Sequence, residues 1–119
     1  MVNTMQKPWL FIFTHSPFDG RQAKEGLDVL LATAAFDQPI QLVFWGNGVY
    51  QLHKHNQPEQ FGLAPVNKQL AALPMYGVDE IYVDNSKHPV AESTLPDARA
   101  LDKDGLQALI QSALQVLVF

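Results

Sequence analysis

The chain has 119 residues, with 8 Lys and Arg against 12 Asp and Glu, a formal charge of −4, and no cysteine. That balance supplies no basic footprint for nucleic acid or an anionic membrane surface, and the missing thiol excludes disulfides, thiolate metal ligands and a cysteine nucleophile. The length suits a single domain over residues 1–119 with a core that needs no staples. Charged residues make up 17%, below the usual ~25%, so much of the surface is uncharged and a buried oligomer interface is favoured. Met1 to Pro8 lacks the order of a signal peptide, and the apolar run that follows is too short to span a bilayer. The expected location is the cytoplasm.

Trp9 to Thr14 is a continuous β-prone run, the pattern of a central strand buried on both faces. His15 to Phe18 reads as a turn. Asp19-Gly20-Arg21-Gln22 has the form of a capping box, with Asp19 as N-cap. The helix that follows sets Ala23, Leu27, Leu30, Leu31 and Ala34 on one face and stops near Asp37-Gln38-Pro39. Ile40 to Trp45 is a second strand. Gly46-Asn47-Gly48 breaks it, and Val49 to Leu52 suits a short helical turn. His53 to Phe61 is a polar loop. Pro65 opens a second helix carrying Val66, Leu70 and Leu73, with Pro74 weakening its end and Gly77 as its C′ residue.

Glu80 to Asp84 is a third strand, and Asn85 to Asp97 is a loop. Arg99 to Leu101 is a short fourth strand. Asp102 caps a helix with Leu106, Leu109, Ile110 and Ala113 on one face. Gln115 to Phe119 is a fifth strand. The alternation predicts an α/β three-layer sandwich, a mainly parallel five-stranded sheet with helices on both faces. A strand at the chain terminus must pair inside the sheet or at an interface.

Ligands of open α/β sheets bind beyond the carboxyl ends of the strands, which directs attention to His15–Gly20, Gly46–Tyr50 and Asp84–His88. The first loop has no glycine-rich phosphate cradle, and Asp19 is expected to satisfy the helix N-terminus that an anion would otherwise find. Clustered carboxylates for a magnesium-dependent receiver are missing. His53 and His55 lack a third ligand at useful spacing. His15 has Ser16 beside it, but adjacent residues do not make a nucleophile–base pair, and no orienting carboxylate is identifiable. Glu25 and Asp28 complement the dipole of the first helix. Asp79 and Glu80 start a strand, at the wrong end of the sheet, and Asp84 has no evident partner. No cofactor or metal site is read from the sequence. Phe44 to Tyr50 is more unusual. Its glycines permit close backbone approach, and Trp45 and Tyr50 are of the type enriched as interface anchors. Core packing around a tight turn explains the same residues equally well.

Three stretches occur in one order. Strand one leads into Gly20 to Ala35, with Glu25-Gly26-Leu27-Asp28 and Leu30-Leu31-Ala32-Thr33 inside it. Gly48-Val49-Tyr50-Gln51-Leu52 follows strand two. Tyr76-Gly77-Val78-Asp79-Glu80 leads into strand three. Together they resemble the TusC/DsrF branch of the DsrE/F/H sulfur-relay family over nearly the whole chain. The resemblance implies a non-catalytic subunit of a TusBCD-type complex, a dimer of heterotrimers with TusB-like and TusD-like partners. Such a complex passes persulfide sulfur from a TusA-type to a TusE-type carrier for 2-thiolation of the tRNA wobble uridine. DsrEFH counterparts act in sulfur oxidation. The sulfur-carrying cysteine belongs to the TusD (DsrE) subunit, near the end of strand three. Here that stretch is Ile81 to Asn85, without cysteine, so no catalytic residue carries over. Trp45, Val49, Tyr50, Tyr82 and Asp84 are the candidate interface residues. Two other readings stay open, a small-molecule or nucleotide-binding module and a small hydrolase using His15.

Overall fold

Four segments built around apolar runs and the short Arg-Ala-Leu become five strands: β1 (Trp9–Phe13), β2 (Ile40–Phe44), β3 (Glu80–Asp84), β4 (Arg99–Leu101) and β5 (Gln115–Val118). The structure, a computed structural model, describes residues 6–53, 58–62, 66–87, 95 and 97–119. The strands form one sheet in the order β4-β3-β2-β1-β5, and all four pairings are parallel. β1 lies inside the sheet, as its unbroken apolar run requires, and Leu10, Phe11 and Phe13 have no exposed surface.

The two faces are covered unequally. Helix α1 (Gln22–Ala35), helix α2 (Val66–Leu70) and a 3-10 helix over Gly46–Leu52 pack on one face. Their Leu27, Leu30, Leu52 and Leu70 meet Phe11, Phe13, Leu42, Phe44 and Val83 of the strands. The other face carries one described helix, α3 (Lys103–Ser112), whose Leu106 and Leu109 pack over Leu10, Ile12, Val43 and Leu101. α3 links the two edge strands, so it crosses the sheet from β4 to β5. The expected three-layer α/β sandwich is the one observed.

Phe119 extends the last strand. Its N–H donates to the Ile12 carbonyl at 2.9 Å and its carbonyl accepts from the Thr14 N–H at 2.7 Å. Its ring stacks on Phe11 and meets Phe13 edge-on. Gly26 of α1 makes room for it, since a Cβ there would fall 2.7 Å from the Phe119 ring.

Three local expectations change. Asp19 does not cap α1: Arg21 holds the N-cap position and no side chain bonds the helix N-terminus. The Asp19 N–H instead closes a turn onto Ser16, and Gly20 at φ +94° swings the chain before the helix starts. This displaces the aspartate from the amides a cap must reach. α1 ends at Ala35, and the reversal toward Pro39 falls on Asp37 at φ +58°, a conformation that Asp tolerates better than most residues. The second helix divides into α2 and a 3-10 turn over Leu73–Tyr76, because Pro74 has no N–H to continue an α-helix. Pro65 lies outside the described residues. Gly77 closes that turn at φ +85°, the left-handed residue expected there. The polar loop contains a 3-10 turn over Pro58–Phe61. His55, His88 and most of the Asn85–Asp97 loop lie outside the described residues.

Asp102 does cap its helix, with Oδ1 accepting from the Gly105 N–H at 2.7 Å. The contrast gives a paired expectation. Asp102→Ala should lower stability by about 1 kcal/mol, whereas Asp19→Ala should stay within about 0.5 kcal/mol of the parent. Urea unfolding midpoints of the two variants check it, and equal losses would contradict the assignment.

Candidate functional site

The carboxyl ends of β1, β2 and β3 are tied together by their loops. The Trp45 N–H donates to the Phe13 carbonyl at 2.9 Å, which carries β2 past the end of β1. Gly46 turns the chain at φ +56°, and the 3-10 helix then presses against β1. Gly48 marks the closest approach: a Cβ there would lie 1.8 Å from the Phe13 carbonyl oxygen. Val49 and Leu52 enter the core, and Tyr50 points outward with 47% of its surface exposed. Gln51 is fully buried, and its Nε2 donates to the His15 carbonyl at 2.8 Å. The Gly-Val-Tyr-Gln-Leu motif thus has a physical content. One residue permits contact, two fill the core, one pins the neighbouring loop and one stands half-exposed at the surface.

His15 is partly buried in that pinned loop. Its Nδ1 lies 3.3 Å from the Thr14 hydroxyl, which in turn donates to the Phe119 carbonyl at 3.1 Å. The ring partner is therefore a hydroxyl, where a catalytic histidine would have an orienting carboxylate.

Asp84 closes the arrangement from β3. It is 4% exposed. Its Oδ1 accepts from the Ser86 N–H at 2.9 Å and the Ser86 hydroxyl at 2.7 Å, and its Oδ2 accepts from the Gly46 N–H at 3.1 Å. Burial pushes this carboxyl up, but hydrogen bonds from Ser86 and Gly46 and the charge of Lys87 outweigh burial and hold it below the usual carboxylate range. The sequence reading found no partner for Asp84 because two of the three donors are backbone amides. The Asp-x-Ser spacing of a side-chain turn was the available signal.

Tyr82 stands on the α3 face, beside Val43 and Arg99 in register. Burial raises its phenol pKa, and the nearby Glu80 charge adds to the shift. Glu80 also accepts from Gln41 at 2.6 Å. Trp45 packs half-buried into the same layer. The five residues singled out as an interface therefore do not share one patch. Trp45 and Tyr82 lie on the α3 face, Val49 is in the core of the opposite face, Asp84 is enclosed, and Tyr50 is the exposed member.

The remaining candidates are dispersed. Asp28 pairs with Lys24 at 2.8 Å. Asp79 and Glu80 lie at the amino end of β3, His53 is exposed, and no group of three metal-ligating side chains occurs among the described residues. A cavity of about 390 Å³ opens beside the N-terminus of α1, lined by Pro17, Gly20, Arg21 and Lys24.

An all-parallel sheet whose first three strand ends are bound into one rigid edge defines a class of small α/β proteins. The model of the DsrE/DsrF-like family matches residues 7–119, and the chain belongs to that family. It is similar to the protein TusC homolog of Pseudomonas aeruginosa, 35% identical over 119 aligned positions that cover 95% of this chain and 98% of the relative. It is also similar to the TusC homologs of Pasteurella multocida, at 30% identity, covering 92% of this chain and 97% of the relative, and Aliivibrio fischeri, at 28%, covering 92% and 96%. The crystal structure of the ychN protein from E. coli superimposes with a TM-score of 0.74, covering 96% of this chain and 100% of that one. At 14% identity it speaks for the fold alone.

The lowered pKa of Asp84 gives a pH dependence with a defined sign. The stability it contributes is present above the unfolded-state carboxylate pKa and is lost as pH falls through the lower folded-state value. Asp84→Asn should therefore cost about 1.5–3 kcal/mol at neutral pH, the range for hydrogen bonds to a charged group. The gap between variant and parent should narrow in acid. Urea unfolding at neutral and acid pH checks it, and a gap that is constant with pH would contradict it.

Proposed function

We propose that this chain is a cysteine-free, non-catalytic subunit of a TusBCD-type sulfur-relay complex. Its role is to assemble with TusB-like and TusD-like subunits as a dimer of heterotrimers. The complex hands persulfide sulfur from a TusA-type to a TusE-type carrier, in the service of 2-thiolation of the tRNA wobble uridine, or acts in sulfur oxidation as a DsrEFH counterpart does. The sulfur rides on cysteines of other subunits. On this reading the subunit is cytoplasmic and touches neither tRNA nor a membrane.

Asp84 is the observation that carries the proposal. The resemblance places the sulfur-carrying cysteine of the TusD subunit near the end of strand three. This chain has there a buried carboxylate already engaged by Gly46 and Ser86. A group so enclosed cannot receive sulfur, and the chain has no thiol elsewhere. What the loops offer a partner is shape. Tyr50 stands out from a rigid 3-10 helix, with half-buried Trp45 nearby in sequence, and large amphipathic side chains on a fixed backbone suit an interface core. Val49 and Asp84 hold the surface from behind.

Native mass measurement of the chain co-expressed with TusB-like and TusD-like subunits tests the proposal. Two copies of each subunit in one particle are expected. A chain that stays apart from both partners would overturn it. Tyr50→Ala should weaken assembly about tenfold or more, the loss of roughly 1.4 kcal/mol or more typical of an anchor. Its unfolding midpoint should barely move, because the side chain is half exposed. Equal assembly by parent and variant at dilute concentration would remove Tyr50 from the interface.

A further inference from the structure

We infer that two copies of this chain pair through β5, edge to edge and antiparallel, to form a homodimer with one continuous sheet. The backbone sets the geometry. Phe119 turns both its N–H and its carbonyl toward β1. Strand alternation then turns those of Val118 and Val116 the other way, out of the sheet edge. β5 is the last strand of the sheet on that side, so among the described residues these groups have no neighbouring strand.

A second β5 running antiparallel satisfies them. Val116 meets Val118 of the other copy, and Val118 meets its Val116. Each such pair exchanges both N–H···O bonds. The two-fold axis passes through Leu117, which faces its own copy. The arrangement is isologous and closes at two subunits.

Side chains on both sides of the edge fit the same occupant. On the α3 face, Val118 is 60% exposed and Val116 38%, and Ile110 of α3 is 37% exposed. On the α1 face, a groove of about 560 Å³ runs between helix and edge, mostly apolar (Trp9, Val29, Ala32, Phe36 and Leu114 among its lining) with Asp28 and Gln38 at its polar positions. Phe36 is 79% exposed and Leu114 52%. The exposed parts of these side chains are on the scale of the largest apolar patch a monomer carries, roughly 300–600 Å². That is roughly 40–75% of the ~800 Å² per partner that a standard interface buries.

Charge favours a second copy. The chain as a whole is negative, yet Leu106 to Phe119 contains no charged residue. Two identical β5 strands therefore meet without side-chain charge repulsion, and the Asp28 carboxylate in the groove is already paired with Lys24 at 2.8 Å. β5 also lacks the Lys and Pro that edge strands use to deter pairing. Tyr50 is neither in β5 nor in the groove lining, so the inference stands apart from the sulfur-relay proposal.

Sedimentation equilibrium of the purified full chain, from micromolar to millimolar concentration, tests it, with hydrogen exchange read at Val116 and Val118. The expected result is a monomer–dimer equilibrium in which both amides gain protection as the dimer forms. Val118→Lys, which puts two like charges across the joint, should raise the dissociation constant at least about tenfold. Phe36→Ser, at a side chain too exposed to matter for folding, should raise it too and decides the matter if Val118→Lys fails to fold. A monomer at every concentration overturns the inference. So does a dimer indifferent to the variants, or edge amides protected only after a TusB-like or TusD-like subunit is added.

Discussion

Gly48 meets the end of β1 so closely that a single Cβ would overlap the Phe13 carbonyl oxygen. The same oxygen accepts the Trp45 N–H. The loop after β2 is thereby welded to the end of β1 before any side chain contributes. Gln51 is then delivered to the His15 carbonyl, and Gly46 to the carboxylate of Asp84. Three loops become one surface because one residue has no side chain. Tyr50 is fixed in the open for the same reason: Val49 and Gln51 on either side of it are committed inward.

β1, β2, β3 and β5 were legible because each holds a continuous apolar run, and the parallel sheet followed from the alternation of strands with helices; the three-residue β4, Arg-Ala-Leu, has no such run. The cap of α3 was legible too, since Asp102 directly precedes a helical pattern with nothing to divert it. Asp19 offered the same signal and failed, because Gly20 beside it takes a positive φ that a sequence pattern does not reveal. The second helix was read as one element because Val66, Leu70 and Leu73 keep a helical spacing up to Pro74. The spacing reports which residues enter the core, and the proline decides how the backbone gets them there. Leu70 and Leu73 are both buried, although different kinds of helix deliver them.

The candidate site was half legible. Its loops were located correctly from the strand ends. Its bonds were not, because most of its donors and acceptors belong to the backbone: the amides of Trp45, Gly46 and Ser86, and the carbonyls of Phe13 and His15. Residue type is silent about such groups. The five interface candidates were chosen by size, chemistry and resemblance, and the pleat distributes them over both faces of the sheet. Neighbours in sequence, such as Val49 and Tyr50, end with opposite fates.

The missing cysteine gains meaning from Asp84. A sulfur carrier needs a thiolate that an incoming group can reach. A buried carboxylate needs the reverse, donors on its oxygens and no solvent path, or its charge is too costly to keep. Asp84 meets the second set of demands: it is almost fully enclosed, and it binds the end of β3 to the turn at Gly46. The position therefore contributes cohesion to the loop edge, and access there would break that cohesion. A hydrogen-bonded carboxylate makes the end of β3 a fixed support for the turn at Gly46.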